Sequence, residues 1–468
     1  MNGTLKPYPA YKDSGVPWVS RVPEHWHLLR LDRLFSLRRE DPQPGDDRVT
    51  AYIDGRVTLR RNVKGQKIKG VIKEAGWQRV HPGDFAISGM NAHLGGMGVS
   101  DSLGKCSPIY LVLVPKPGTQ PHYVSHVVRH MARSGYIWSL MTTIRFNSAD
   151  FKRDDLKKLS IWIPPYEEQG TIAQFVSALQ SITNRYIRAQ RRLIELLTEQ
   201  KQALIQRAVT RGLDPHVKLK PSGIEWLGEI PEHWDERPAK YFFREIDERS
   251  HSGEEELLSV SHITGVTPRS QKNVTMFKAE SYVGYKLCRA DDLVINTMWA
   301  WMAALGVAKQ TGIVSSSYAV YRPTNSDAFV SEYVDHLLRT KPYVSEYICR
   351  STGIRSSRLR LYPEQFLKIP LICPPHDEQK KIVKFVEGET LQLDQTITRT
   401  QCQIDLIREY RTRLIADVVT GKLDVRGVAP EALLPDLDET GDLGDLDDLE
   451  EDAELDDLGA EELDDADD

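Results

Sequence analysis

Residues 15–26 read GVPWVSRVPEHW, and 208 positions later residues 223–234 read GIEWLGEIPEHW. The same offset lays DFAISGMNAHLGGMGV (84–99) on DLVINTMWAWMAALGV (292–307), and SPIYLVLVPKP on SSSYAVYRPTN. An offset of 210 then joins IRFNSADFKRDDLKKLSIWIPP (144–165) to IRSSRLRLYPEQFLKIPLICPP (354–375). It also joins PPYEEQGTIAQFV to PPHDEQKKIVKFV, and LTEQKQALIQRAVTRGLD to IREYRTRLIADVVTGKLD. Six ordered matches with one small shift make the chain a tandem duplication, so a fold that suits one copy must suit the other.

Each copy has a mixed segment, then Pro-Pro, then a long charged and apolar stretch. In the mixed segments short apolar runs such as IYLVLV and DDLVIN are punctuated by Gly, Pro and Asn and read as strands and turns. YVSHVVRHMARSG and YVSEYICRS read as helices, so the class is α+β. MWAWM (298–302) fits either a packed strand or a surface that meets base edges. The polar partner MNAHL (90–94) favours the surface.

After the first Pro-Pro, Ile172, Val176, Leu179, Ile182, Tyr186, Ala189, Leu193 and Leu196 recur at three-four spacing. After the second, Ile397, Ile404 and Val418 interlock with Val386, Leu393, Ile407 and Leu414. That pattern predicts long helices with a narrow apolar seam. Pro fits a helix's first turn, and TRGLD and TGKLD mark the exits. At about 1.5 Å per residue each rod is roughly 65 Å long. Antiparallel pairing within the chain is favoured over pairing between chains, because duplication supplies a tethered partner.

From Gly427 onward there is no Lys or Arg and there are 20 Asp and Glu. The first 426 residues therefore hold all 61 Lys and Arg against the other 47 acidic side chains, a surplus of fourteen positive charges. Such a body favours a polyanionic partner. The tail, repelling itself and lacking aromatics, is expected to be disordered in isolation; a solvated tail is favoured over a DNA-mimicking brake. No apolar run is long enough to cross a membrane and the first residues lack the apolar core of a signal peptide. The five scattered cysteines read as reduced and mostly buried, in a cytoplasmic protein.

Catalytic constellations are missing from the sequence. Neither Gly-Lys pair continues as a P-loop and no H-E-x-x-H occurs, and a zinc site is not expected. Ile163-Pro-Pro-Tyr166 resembles the loop with which amino methyltransferases hold a flipped base. Its first residue should carry an oxygen acceptor, which Ile163 lacks, so a strand exit and helix start explain it better.

The candidate chemistry is DNA reading. Arg can make paired bonds to guanine and Asn to adenine, while Lys and Ser serve phosphates. In the first copy the candidates are Arg60, Arg61, Lys64, Lys67, Asn91, His93, Arg145, Asn147 and Lys152. In the second they are Arg269, Lys272, Asn273, Trp299, Trp301, Arg355, Ser356, Arg358 and Arg360. The framework motifs are nearly identical between copies and these segments have diverged, which fits an asymmetric, split target. Trp26 and Trp234 of the repeated PEHW read as packing residues.

The order PSGIEWLGEIPEHW, DDLVINTMWAW…ALGV, SSSYAVYRP, then LKIPLICPPHDEQKKIVKFV and a long helix resembles the specificity subunit of type I restriction–modification systems, over residues 10–424. The resemblance implies two α/β target recognition domains, 1–163 and 213–373, each reading one half of a bipartite site on double-stranded DNA. It implies spacer helices at 164–212 and 374–424 that pair as an antiparallel coiled coil, with an acidic tail at 425–468 outside the pattern. Two modification (methyltransferase) subunits would dock on the helices and restriction (motor and nuclease) subunits would join. S-adenosylmethionine, ATP and Mg would belong to those partners, with no cofactor and no catalysis in this chain. Two other readings stay open: a self-contained DNA methyltransferase or endonuclease, and a coiled-coil adaptor that binds proteins alone.

Overall fold

The computed structural model describes residues 5–63, 75–141, 151–224, 226–271, 281–325, 327–353 and 359–428, with the backbone alone of Ile144–Arg145 and Ser148–Ala149. The chain forms two compact units. One is Met1–Gln190 with the segment from Cys402 onward, and the other is Arg191–Gln401.

Each unit is built on a four-stranded antiparallel sheet with the same strand order. In the first unit the order is Phe35–Leu37, Tyr110–Pro115, Phe85–Ser88, Met97–Val99. In the second it is Phe243–Ile246, Ala319–Pro323, Leu293–Ile295, Leu305–Val307. Strands this short, with Val, Ile and Phe buried, suit a sheet covered on one side by helices. Helices Pro121–Arg133 and Ser331–Leu338 supply that cover, burying Tyr123, Val124, Val127 and Val128 in one and Tyr333, Val334, Leu337 and Leu338 in the other.

The helix starts lie where Pro-Pro puts them. Strand Ser160–Ile163 runs into helix Tyr166–Arg211, and strand Pro370–Cys373 runs into helix His376–Val419. Ile163-Pro-Pro-Tyr166 is therefore a strand exit followed by a helix start. Gln169, 1% exposed, fixes the first junction. Its Oε1 accepts the Gln120 N–H (2.9 Å), and its Nε2 donates to the carbonyls of Pro164 (3.0 Å) and Gly118 (3.2 Å). Gln379 does the same with Val330, Pro374 and Ala328. Left unpaired, each buried amide would cost about 1–3 kcal/mol, which accounts for Glu-Gln in both copies.

The histidine of the PEHW motif meets the residue before that glutamine in both copies. Trp26 and Trp234 are fully buried. Glu168 accepts hydrogen bonds from Trp26 Nε1 (2.9 Å) and the Tyr8 hydroxyl (2.8 Å), and lies 2.8 Å from His25 Nε2. Among the described residues Glu378 keeps only the histidine contact, His233 Nε2 at 2.8 Å, and Trp234 Nε1 is buried without a hydrogen-bond partner.

Within the first unit Arg411 Nη1 bonds Asn184 Oδ1, and within the second Lys201 Nζ bonds Asp394 Oδ1 (2.6 Å). From Asn184 to Lys201 and from Arg411 back to Asp394 is the same seventeen-residue step. The apolar stripe of the first long helix differs from the expected one. Ile172, Val176, Leu179 and Ile182 are buried as expected, but Ala189, Leu193 and Leu196 are exposed and Ile187 is buried. Half-buried Ile194, Leu197 and Leu204 continue that stripe one residue out of phase. The pairs Leu193-Ile194 and Leu196-Leu197 suit either phase, and a helix drifts about 20° per heptad from a strict seven-residue repeat. Two of the five cysteines, Cys349 and Cys402, are exposed rather than buried.

Candidate nucleic-acid interface

In both copies the sheet edge strand is preceded by a single tight 3₁₀ turn that carries the diverged residues. MNAHL folds as a turn over Ala92–Leu94, and MWAWM as one over Ala300–Met302, so the latter is not a strand. Each turn closes on a left-handed residue, Gly95 at φ +92° and Ala303 at φ +64°. Ala303 hid the turn from a reading that takes glycine as the signal for positive φ.

Asn91 is exposed beside the first turn, and the His93 ring packs 4.7 Å from the ring of half-exposed Trp138. Burial lowers the His93 pKa, so near neutral pH the ring is a hydrogen-bonding group rather than a cation. Trp299 and Trp301 are half-buried and stack on one another, 5.9 Å apart at 19°. The Trp301 N–H is spent on the Met298 carbonyl (3.0 Å), which leaves ring faces and edges as what the pair can offer.

A second segment adjoins each turn. In the first copy Ile144–Arg145 pairs with Ser148–Ala149, and the Phe151 N–H then bonds Gly89 O (3.0 Å), two residues before Asn91. In the second, Thr352 and Arg360 exchange both backbone bonds (3.0 and 2.9 Å), and the Leu361 N–H bonds Thr297 O (2.9 Å), two residues before Trp299. Half-buried Arg360 is thus brought beside the second 3₁₀ turn, and the backbone of Arg145 lies in the hairpin that leads to Phe151. Lys152 is exposed at the start of helix Arg153–Leu156, where its N–H bonds Asp155 Oδ2 (2.8 Å).

Arg60, Arg61 and Arg269 are not brought there. They begin 3₁₀ turns at the far ends of the ribbons Val49–Ala51/Val57–Leu59 and Leu258–Ser261/Gly265–Pro268. Arg61 is also engaged by Asp47 (2.5 Å), although both are exposed. Lys64, Lys67, Asn147, Lys272, Asn273, Arg355, Ser356 and Arg358 lie outside the described residues.

The near ends of those ribbons reveal two residues that the sequence reading passed over. Arg129 Nη2 donates to Ile53 O (3.2 Å), and Arg339 Nη2 donates to His262 O (2.6 Å) and Ile263 O (2.7 Å). Ile53 and Ile263, 50% and 64% exposed, ride on turns pinned by those arginines. A Cβ at Gly98 would lie 2.0 Å from Gly55 O, so the pinned turn and the sheet edge touch backbone to backbone. The signal was present as YVSHVVR at 123 and YVDHLLR at 333, offset by 210 like its neighbours. Each copy therefore presents a pinned apolar turn, a 3₁₀ turn of variable chemistry and an adjoining loop.

Among the described residues no group of three or more His, Cys, Asp or Glu is placed to hold a metal ion. No helix of the described residues is long and apolar enough to cross a membrane.

No family model matches the chain. It is 22% identical over 433 residues to the MjaX type I restriction enzyme specificity subunit of Methanocaldococcus jannaschii, covering 87% of this chain and 96% of that one. A chain from a structure of type I R-M system assembly and conformational transition superposes with a TM-score of 0.58 at 18% identity, over 86% of this chain and 99% of that one. The HsdS subunit of Thermoanaerobacter tengcongensis aligns at a TM-score of 0.46 and 17% identity, over 88% of this chain and 100% of that one, an overlay too loose to add weight. Along most of its length, then, the chain is similar in sequence to a type I specificity subunit and in fold to a chain of a type I restriction–modification system.

Proposed function

We propose that this chain is the DNA sequence-specificity subunit of a type I restriction–modification system. The observation that carries the reading is one framework used twice with different chemistry at the same turn: Asn91 and His93 in one copy, Trp299 and Trp301 in the other. A scaffold kept constant while its tip changes is what reading two unlike half-sites requires.

In this reading the recognition domains are residues 1–163 and 213–373, and the helices within 164–212 and 374–424 pair antiparallel as the spacer between half-sites. The equal steps between Asn184–Arg411 and Lys201–Asp394 support that pairing. Asn91, His93, Arg145, Lys152, Trp299, Trp301 and Arg360 meet the bases or the nearest phosphates. Arg60, Arg61 and Arg269, a ribbon's length away, serve backbone phosphates. Lys64, Lys67, Asn147, Lys272, Asn273, Arg355, Ser356 and Arg358 flank these groups in sequence and join them. Two modification subunits and the restriction subunits bring S-adenosylmethionine, ATP and Mg, and the chain itself does no chemistry. It works in the cytoplasm, where the DNA is.

The test is a map of methylated bases in DNA exposed to the chain with its modification subunit, repeated with residues 213–373 exchanged for a relative's. A gapped motif in which one half changes on exchange is expected. A continuous motif, or a change in both halves, sinks the reading.

A further inference from the structure

Each pinned turn holds up an isoleucine. At an offset of 210, YIDGR (52–56) lies on HITGV (262–266), and of these positions only the Ile and the Gly are the same in both copies. Buried Arg129 donates to the carbonyl of Ile53 itself (3.2 Å), and a Cβ on Gly55 would lie 2.1 Å from the Arg129 Nη1. Arg339 donates to the carbonyl of Ile263 (2.7 Å), and a Cβ on Gly265 would lie 3.0 Å from its Nη1. The close approach of the guanidinium, together with φ of +98° and +66°, explains the two glycines. It does not explain the isoleucines. The pinned atom is a backbone carbonyl, which any residue supplies, yet both copies keep a large, exposed apolar side chain there.

The turns lie against the variable surface. A Cβ on Gly95, which closes the 3₁₀ turn of His93, would meet Ile53 O at 3.4 Å. In the second copy a Cβ on Gly265 would meet Leu305 O at 3.7 Å, two residues beyond the Ala303 that closes the turn of Trp301. Asp54, the acidic neighbour of Ile53, is paired with Arg56 and so does not face a duplex as a bare negative charge. A constant isoleucine thus stands beside chemistry that differs between the copies. Residues that differ suit half-sites that differ, and a residue kept in both suits a step common to both.

On the proposed function, on which this inference rests, the common step is the presentation of one base per half-site to a modification subunit. Enzymes that work on a base take it out of the stack, at a cost in unstacking and unpairing. Aliphatic side chains, isoleucine among them, enter base steps as wedges. We propose that Ile53 and Ile263 are such wedges, each entering the duplex at the base its half-site gives up. Arg129 and Arg339 are the positioning residues, since a turn that yielded would not part the stack. A thymine methyl also suits an isoleucine, but two half-sites of unlike sequence have no reason to place one at the same spot.

The test uses the chain with its modification subunit on duplexes carrying a fluorescent base analogue, bright only when unstacked, at the methylated position of one half-site. Ile53→Ala changes an exposed side chain. It should dim the analogue about tenfold in the half-site that the first copy reads, because three carbons leave the stack, and should spare the other half-site. Ile263→Ala should do the reverse, and Ile263→Leu should stay within about twofold of the parent, leucine being a wedge as well. A mismatch opposite the analogue, which lowers the cost of flipping, should bring each alanine variant back to within about twofold. An unchanged signal, an equal loss in both half-sites, or a loss that the mismatch does not relieve overturns the proposal. Relaxed base preference at one position without dimming would make the isoleucine a reader of a methyl group instead. Release of the modification subunit by the alanine variants would assign the turn to a protein interface. If the parent chain gives no gapped methylation motif, the proposed function fails first; if the motif is intact, these outcomes remove the wedge alone.

Discussion

The two copies solve the same buried-charge problem with arginines from different strands. Asp84 and Asp292 occupy equivalent positions, 2% and 1% exposed. Arg38 meets Asp84 through Nε (2.6 Å) and Nη2 (2.8 Å), and Arg322 meets Asp292 through the same atoms at 2.9 Å each. Glu40 and Glu248 complete each cluster. Yet Arg38 follows strand Phe35–Leu37, where its N–H bonds Val112 O, while Arg322 lies on the neighbouring strand. The equivalent of Arg38 is Ile246, opposite Val320, and that of Arg322 is Val114. What duplication retained is a planar fork in front of a buried carboxylate, since only a paired buried charge is tolerable. Which strand delivers it was free to change.

The comparison predicts its own largest effect. Arg322→Val leaves Asp292 buried with little beyond the Arg289 N–H (2.9 Å), and should cost about 3–5 kcal/mol, read by denaturant unfolding. Adding Ile246→Arg restores a fork from the first copy's direction and should recover more than half. If Arg322→Val costs less than about 1 kcal/mol, or the second change deepens the loss, the strands are not interchangeable sources.

The covering helices differ in how they bear acid. On Pro121–Arg133, burial lowers the pKa of His122, His126 and His130, and Arg129, His122 and Arg133 push His126 further down, to about 3. On Ser331–Leu338 the one histidine, His336, is also lowered by burial, with Asp335 and Glu387 opposing that shift and Arg339 and Lys201 adding to it. An unfolded histidine titrates near 6.5, so below that pH the unfolded chain takes a proton the folded ring refuses. Stability is therefore whole above about pH 6.5 and declines as pH falls, by at most about 1.4 kcal/mol per unit for His126 or His130 and by less for exposed His122, which water screens. His126 keeps a partly accessible edge, and water relieves some of that penalty. Between pH 7 and 5 helix Pro121–Arg133 should lose about 1–2 kcal/mol of protection from hydrogen exchange, more than Ser331–Leu338, and His126→Gln should flatten its slope. Equal slopes in the two helices would remove this difference between the copies.

These contrasts also mark what the sequence could and could not carry. The offset matches set the order of elements, and Pro-Pro located both long helices, because proline acts on its own backbone. The seam phase was ambiguous where Leu193-Ile194 and Leu196-Leu197 satisfy two registers, and only the facing helix chooses. Of the candidate site, Asn91, His93, Trp299 and Trp301 were legible as divergence inside a constant frame. Arg129 and Arg339 were not, since an arginine in an amphipathic helix reads as solvated surface until the carbonyl it pins is seen. Arg61 shows the converse, a basic residue already engaged by Asp47.

The smallest effect concerns the turn itself. Gly95 and Ala303 close equivalent turns in left-handed conformations, which glycine enters freely and alanine enters at about 1 kcal/mol. Ala303→Gly should relieve that strain at the cost of unfolded-chain entropy and of a mostly buried methyl, for a net gain of at most about 1 kcal/mol. Gly95→Ala should lose about 1–2 kcal/mol, because φ +92° lies beyond the left-handed well and the new Cβ meets Ile53 O at 3.4 Å. For units of this size each kcal/mol moves Tm by about 2–4 °C, so opposite shifts of a few degrees are expected. If both variants lose stability equally, the Ala303 methyl contributes packing that outweighs its strain. The second copy's turn is then held by side chains rather than by backbone freedom, and Trp299 and Trp301 stand on the stiffer of the two turns.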